Sequence, residues 1–434
     1  MKTIMISSNC SGGGKTTFTL GLMKALRNRG YDVQGYKCGP DYIDTAFHTA
    51  VTGKASRNLD IHLTGEDGVR AIFSRGAGDL AVIEGAMGIY DGKGITEEGS
   101  AYSISKLLDD VPIVLVITPK AQSTTLAAEI KGIKEFKNAN IAGVVLNCIS
   151  EGYYQLLKKS IEYNCNLKVY GYIPKNEEIK LGSRHLGLVQ SIEIGNLNEK
   201  LDVCASLIEE YIDFDSLIED FKEVKKYEDK YHIENRYIKI AVAKDEAFNF
   251  YYKENLELLE EVGQVVYFSP LKDKVLPKNI DFLYLGGGYP EVFKEELSNN
   301  KSMLNSIKSA LDNGLRCYAE CGGLMYLTEA IDNVSMVGFF KGNSEMTTRL
   351  NRFGYATVNI NNLKINCHEF HKSKVNSEEK TLYKVEKIGY DENLITWQCG
   401  YNKKNTLAGY PHTHFFGNLE FLKYILGDKK KEIY

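Results

Sequence analysis

Two short stretches carry residue types whose spacing can do chemistry. The first is SSNCSGGGKTTFTLGLMKAL, residues 7–26, with three glycines and a lysine ahead of a long amphipathic run. Glycines let successive backbone N–H groups curl inward on an anion, and the start of a helix adds partial positive charge. Gly12, Gly13 and Gly14 can therefore cradle the phosphates of ATP, with Lys15 reaching the outer phosphates, Thr16 offering a hydroxyl to Mg²⁺, and Thr17 in the same turn. The pattern is a degenerate GxxxxGK[ST] with Asn9 at the first glycine; the variant KGGxGK[ST] fits Gly12, Gly14, Lys15 and Thr16 but has Cys10 where a second lysine would stand. A bare turn joining strand to helix gives Lys-Thr-Thr no packing rationale. The second stretch is YAECGGLMYL, residues 318–327. It places Cys321 where a strand ends and a helix starts, an elbow that exposes a nucleophile and is expected to lower its thiol pKa.

The remaining parts of each site can be sought by type. After the glycine loop, GYKCGPDYIDTAFH and VIEGAMGIYDG follow apolar strands and bring Asp41, Asp44 and Glu84 to the strand ends where open α/β sheets bind ligands. These acids are candidates for Mg²⁺ or the phosphate site; Glu84 stands out, because a carboxylate closing an apolar strand is unfavourable without a partner. For Cys321, the Gly322 N–H is one oxyanion donor, and Gly287 and Gly288, in a glycine run after another strand, can bring a second. The base is a histidine of GYPHTHFFG, either His412 or His414. No carboxylate to orient it is assigned from the residues. A hydrolytic cysteine beside an ATP site suggests coupling: one releases ammonia from glutamine through a thioester, and the other turns a carboxylate into an acyl phosphate that ammonia attacks.

The elements that must position these residues alternate. Thr3–Ser7, Asp32–Tyr36, Leu80–Ile83, Val111–Ile117 and Ile141–Leu146 read as strands, and Thr16–Arg29 and Ala121–Phe136 as helices. Short continuous apolar runs between helices imply a parallel sheet covered on both faces, hence a doubly wound α/β domain over 1–212. The charged stretch 213–236 is expected to be a linker. The rhythm restarts over 237–434, with strands at Tyr237–Ala243, Gln264–Phe268, Asp281–Leu285 and Leu315–Glu320, and helices at Ala247–Val262 and Ser302–Asn313. The fold class expected is α/β with two doubly wound domains.

Composition bounds the rest. The 434 residues exceed one ordinary core, and 43% hydrophobic with 25% charged residues is a globular balance. A net charge of −4 offers no basic surface for nucleic acid. The longest apolar stretch, Val111–Thr118, is strand-sized, so no membrane span is expected. Nine cysteines without zinc-type spacing read as reduced thiols, which suits a cytoplasmic location.

The quoted motifs also carry a resemblance. The N-terminal half resembles the dethiobiotin synthetase-like branch of P-loop NTPases, and the C-terminal half resembles flavodoxin-like class I glutamine amidotransferases. With GYKCGPDYID, EGAMGIYDG, AFNFYYKENLELLE, LGGGYPE, YAECGGLMYL and CHEFHKS together, the chain resembles the cobyrinate a,c-diamide synthase family over most of its length. The resemblance implies a ligase that amidates the a and c acetate side chains of a cobalt corrin polycarboxylate, using ATP, Mg²⁺ and L-glutamine, with a homodimer left open. It implies that Thr16, Asp41 and Glu84 hold the metal, that Tyr42, Asp44, Tyr90 and Asp91 face the substrate, and that Cys321 and His412 form the glutamine site. His368 and His371, in CHEFH, are expected to shape a substrate mouth. In class I enzymes a glutamate stands two residues after the histidine; here that position is His414. Relatives acting on hydrogenobyrinate or Ni-sirohydrochlorin share these motifs. A non-catalytic partition-type ATPase fused to an inert amidotransferase-like module would require a vestigial Cys321 elbow.

Overall fold

The structure is a computed structural model that describes residues 1–179, 183–184, 187–188, 194–389 and 391–427. It divides into two compact units, residues 1–61 with the described residues of 66–230, and residues 62–65 with those from 231 onward.

The first unit is built on seven parallel strands: β1 (Lys2–Ser7), β2 (Val33–Cys38), β3 (Arg57–Leu59), β4 (Leu80–Glu84), β5 (Ile113–Ile117), β6 (Ile141–Asn147) and β7 (Lys168–Ile173). Their order across the sheet is β3-β2-β4-β1-β5-β6-β7, so the chain reverses its winding around β1. Strands β2, β4 and β5 are buried at every residue, as expected where helices cover both faces. Helix α1 (Lys15–Asn28) leaves the loop after β1, and helix α2 (Tyr42–Thr52) follows β2. The ligand-binding edge lies at the C-terminal strand ends beside the reversal. Strands β3 and β7 escaped the sequence reading; β3 has only three residues, too few to show a period.

The stretch 213–236, expected to be a linker, begins as part of this unit. Phe214–Glu219 is a helix, and Lys222–Glu223 pairs antiparallel with Lys2 and Thr3 of β1. Phe214, Leu217 and Phe221 enter the same apolar core as Phe18, Leu22 and Leu26 of α1. Charge dominates the composition of this stretch, but Phe214, Leu217 and Phe221, spaced three and four residues apart, are buried.

The second unit has a ten-stranded sheet in two halves. Gly263–Phe268, Ile238–Ala243, Phe282–Leu285, Arg316–Glu320 and Thr406–Gly409 run parallel in that order. Leu394–Lys403, Thr381–Ile388, Arg352–Ile360, Leu363–His371 and His412–Thr413 then continue antiparallel. The expected helix over Ala247–Val262 starts only at Lys253, because Phe248–Phe250 is a strand paired with Gly287–Gly288. The antiparallel half was not foreseen from the sequence; it brings His412 alongside His368 in register.

If 213–224 is core rather than tether, Leu217→Ala should destabilise the protein by about 2–5 kcal/mol in denaturant unfolding. A change within about 0.5 kcal/mol, the value for an exposed site, would contradict this packing.

Candidate active site

The glycine loop is held open by the ends of neighbouring strands. Gly12 and Gly14 have φ of 75° and 91°, the left-handed region that favours glycine. A Cβ at Gly14 would fall 2.2 Å from Asn147 Nδ2, at the end of β6, and one at Gly13 would fall 2.2 Å from Ser8 Oγ. Thr118, just past β5, donates its hydroxyl to the Gly13 carbonyl at 3.2 Å. The loop is thus pinned on one side while Gly12 remains exposed. Lys15 is buried and donates to the carbonyls of Cys10 (2.8 Å) and Met87 (2.6 Å). Burial and the nearby Lys37 ammonium hold Lys15 below the usual lysine range. Thr17 lies in the same first turn of α1.

Beneath the loop sits a buried charge cluster. The Thr16 hydroxyl donates to Glu84 Oε1 at 2.6 Å, and Lys37 Nζ donates to the same oxygen at 2.8 Å. The other oxygen of Glu84 meets His48 Nε2 at 2.7 Å. His48 Nδ1 lies 3.2 Å from Ser56 Oγ, whose hydroxyl donates to the Gly35 carbonyl at 3.0 Å. Lys37 also pairs with Asp44 at 2.5 Å. Burial works against an ionised Glu84, but the Lys37 charge and the His48 hydrogen bond outweigh it and hold the carboxyl well below its ordinary range. Burial, joined by the charge of Asp41, pushes Asp44 the other way. The donor set of Thr16, Glu84 and Asp44 is hard oxygen, which suits a small divalent cation that also takes phosphate oxygens. Among the described residues no group of three or more His, Cys, Asp or Glu could hold a metal by itself.

The other expected residues of this site are placed less directly. Asp41 is exposed and caps α2, accepting from the backbone N–H groups of Ile43 (2.7 Å) and Asp44 (3.0 Å). Tyr42 is half-buried at the first residue of α2. Asp91 accepts the Gly88 N–H at 2.8 Å and so shapes the turn after β4. Tyr90 donates to the Ile133 carbonyl and packs against Tyr102 and Phe136.

In the second unit Cys321 follows the strand Arg316–Glu320 with φ 47° and ψ −103°, the strained turn of a nucleophile elbow. Its N–H donates to the Gly409 carbonyl at 2.7 Å. A Cβ on Gly322 would lie 3.2 Å from the Gly288 nitrogen and 2.8 Å from Pro290 Cδ, so the two glycines that could bind an oxyanion are adjacent. A Cβ on Gly287 would sit 2.4 Å from His412 Cε1. His412 is buried and stacks on His368 with centroids 5.0 Å apart. Gly287, Gly288, Gly322 and His412 therefore converge around the elbow. Burial drives His412 well below the usual histidine range, with His368 and His371 adding to it. The thiol corrects an expectation: burial, followed by the charge of Glu291, pushes Cys321 up rather than down. The helix behind it, Gly322–Leu327, is too short to outweigh desolvation. Burial thus disfavours both a Cys321 thiolate and a His412 imidazolium.

His414, the other candidate base, is committed elsewhere. Its Nδ1 accepts the Phe416 N–H at 3.3 Å, and its Nε2 lies 3.4 Å from Glu254 Oε2, with both side chains fully buried. His371 bonds the Ser373 carbonyl (2.8 Å) and Glu369 (3.1 Å) and stacks on Tyr410 at 3.8 Å. His368 pairs with the Tyr252 hydroxyl at 2.8 Å.

Comparison with known proteins accords with both sites. Residues 4–189 match the CobQ/CobB/MinD/ParA nucleotide binding domain, and residues 239–419 match the CobB/CobQ-like glutamine amidotransferase domain. A protein of Clostridium acetobutylicum named cobyrinate a,c-diamide synthase is 62% identical, covering 98% of this chain and 100% of its own length. Proteins of the same name from Clostridium tetani and Caldanaerobacter subterraneus subsp. tengcongensis are 59% and 42% identical, each over 98% of this chain and over 100% and 98% of their own lengths. The chain belongs to the cobyrinate a,c-diamide synthase family.

For this member of the cobyrinate a,c-diamide synthase family, residue-by-residue reading missed Lys37, His48 and Glu320. All three stood inside the quoted motifs. Lys37 lies in a strand buried at every residue, so the argument applied to Glu84 would have found it. His48 lies four residues after Asp44 on α2, one helical turn away. Glu320 ends a buried strand just as Glu84 does.

Gly287→Ala should push the His412 ring and lower glutamine-dependent turnover by about 10²-fold, the scale of an ångström misplacement. Ammonia-dependent turnover should stay at the unmodified rate. Equal loss from both nitrogen sources would contradict the placement of Gly287 against the base.

Proposed function

We propose that this chain amidates the a and c acetate carboxylates of cobyrinate in cobalamin biosynthesis, using ATP as activator and L-glutamine as nitrogen donor. The observation that carries the reading is the pairing of a nucleophile elbow at Cys321, with His412 and two glycine donors around it, with a glycine loop whose Thr16 reaches a buried Glu84.

At the glutamine site, His412 takes the Cys321 proton and the thiolate attacks the side-chain amide carbon. The N–H groups of Gly288 and Gly322 support the negative oxygen of the tetrahedral adduct. His412 returns the proton to the departing nitrogen, ammonia leaves, and water cleaves the thioester to glutamate. At the nucleotide site, the loop of Gly12, Gly13 and Gly14 and the Lys15 ammonium hold the triphosphate. A substrate carboxylate oxygen attacks the γ-phosphorus, ADP leaves, and the acyl phosphate is attacked by ammonia with loss of phosphate. Thr16, Glu84 and an acid of the Asp41–Asp44 segment would hold Mg²⁺, which when bound neutralises developing phosphate charge. Lys37 keeps Glu84 ionised, and His48 fixes its orientation. The corrin contacts assigned to Tyr42, Asp44, Tyr90 and Asp91 rest on the family resemblance; Asp44 has the further support of its pairing with Lys37. No helix of the described residues is long and apolar enough to cross a membrane, and all nine cysteines are free thiols, which supports a cytoplasmic site of action.

Two substitutions test the division of labour. Cys321→Ala should abolish glutamine-dependent amidation and leave ammonia-dependent amidation, read by mass shift of the corrin. Lys15→Ala should block amidation from either source. Ammonia-driven turnover surviving Lys15→Ala would overturn the phosphate-cradle assignment.

A further inference from the structure

We propose that Glu320, the residue immediately before the nucleophile, is the acid that orients His412 during glutamine hydrolysis. The proposal rests on the reading of Cys321 and His412 as nucleophile and base. Glu320 is 1% exposed at the last position of the strand Arg316–Glu320. Its Oε1 receives three donors: the Thr413 N–H at 3.1 Å, the Thr413 hydroxyl at 2.8 Å and the Tyr318 hydroxyl at 2.8 Å. Its Oε2 receives the Tyr284 hydroxyl at 3.1 Å and lies 3.9 Å from His412 Nδ1. Four donors fix the carboxylate in place, and Oε2 retains acceptor capacity on the side of the imidazole. The Thr413 N–H ties the residue after His412 to the same carboxylate, so ring and acid are registered through one backbone step.

A separation of 3.9 Å exceeds a hydrogen bond, and catalytic contacts in ligand-free sites are often long until substrate binds. A shift of under about 1 Å would close it, in the range over which such contacts tighten. Burial pushes the Glu320 carboxyl up to about 7, against the pull of Thr413 and Tyr318. A buried acid in a sheet is unfavourable, and an imidazolium formed beside it offsets that cost only during catalysis. Of the other acids near the site, Glu254 faces His414, Glu369 binds His371 and Trp397 Nε1, and Glu291 acts on the Cys321 thiol and is not among the charges acting on His412. Position 414, two residues beyond the base, holds a histidine, so the orienting acid has moved to the strand before the cysteine.

The proton balance is simple. Nδ1–H of His412 faces Glu320, which leaves Nε2 as the base that takes the Cys321 proton. The imidazolium is stabilised by the Glu320 charge, and Nε2 gives the proton back to the leaving ammonia as the C–N bond breaks. Glu320 itself keeps no proton. Glu320 is therefore a positioning residue.

The test uses the full chain with Glu320→Gln, Glu320→Asp and Tyr318→Phe, alongside Cys321→Ala and His412→Ala. Glutamine-dependent kcat and KM, the pH profile of kcat/KM, and ammonia-dependent amidation are measured for each. The proposal expects Glu320→Gln to lower kcat by about 10²–10⁴-fold, as for removal of a triad acid. KM should stay nearly constant, and ammonia-dependent turnover should persist. Glu320→Asp should restore part of the loss, and Tyr318→Phe, which removes one of the four donors but keeps the acid, should lose clearly less than Glu320→Gln. The acidic limb of the pH profile should move to lower pH in Glu320→Gln, because the imidazolium loses a neighbouring negative charge while His368 and His371 still face it, and Tyr284 and Tyr318 still surround position 320. Equal losses in Glu320→Gln and Tyr318→Phe with no shift of that limb would overturn the proposal in favour of packing, and an unchanged kcat in Glu320→Gln would overturn it outright. Should Glu320→Gln also lose ammonia-dependent turnover, Glu320→Asp decides, supporting the proposal if its limb stays in place with kcat reduced and overturning it if the limb shifts. Retained glutamine use in Cys321→Ala or His412→Ala would instead overturn the underlying site.

Discussion

Both candidate sites are built around a carboxylate buried at the last residue of a parallel strand. Taking an ionised carboxylate out of water costs several kcal/mol unless charges or donors replace the lost hydration. Glu84, ending β4, is surrounded by Lys37, His48 and the Thr16 hydroxyl. Glu320, ending Arg316–Glu320, is surrounded by the neutral donors of Tyr284, Tyr318 and Thr413. The difference decides what each can do. The Lys37 ammonium and the His48 hydrogen bond hold Glu84 ionised. Burial pushes Glu320 up to about 7, and its neutral donors only partly oppose that, so this carboxyl lacks the charge compensation that Glu84 has.

The backbone around these acids is arranged to keep them. The left-handed turns at Gly12 and Gly14 shape the loop next to the Thr16–Glu84 hydrogen bond, and Asn147 and Thr118 fix it from the ends of neighbouring strands. In the second unit the bare backbone of Gly287, Gly288 and Gly322 lets an imidazole and two amides gather beside the elbow at Cys321. Side chains larger than hydrogen at these glycines would separate the reacting groups.

Much of this was legible in the sequence, for physical reasons. β1, its glycine loop and α1 showed as an apolar run, a flexible turn and a helical period, and the structure starts α1 at Lys15. Gly287, Gly288, Gly322 and His412, named from scattered motifs, meet in one place. The misses share a cause: they depend on what packs across from a residue. Whether a thiol at an elbow is low or high depends on burial, which periodicity does not report, and here burial lifts Cys321. The charged stretch after 213 hid three apolar residues that complete a core. In the antiparallel half of the second sheet, Leu394–Lys403 buries only Cys399 and Gly400, so it lacks the apolar run that marked the parallel strands.

The central claim is that the glycine-loop unit activates a carboxylate by phosphorylation so that nitrogen can replace the phosphate. The most direct measurement is to label the acetate carboxylates of the corrin with ¹⁸O, run the reaction with ATP and either nitrogen source, and weigh the inorganic phosphate. The account predicts one ¹⁸O in phosphate for each amide formed. Amide formation with unlabelled phosphate would contradict it.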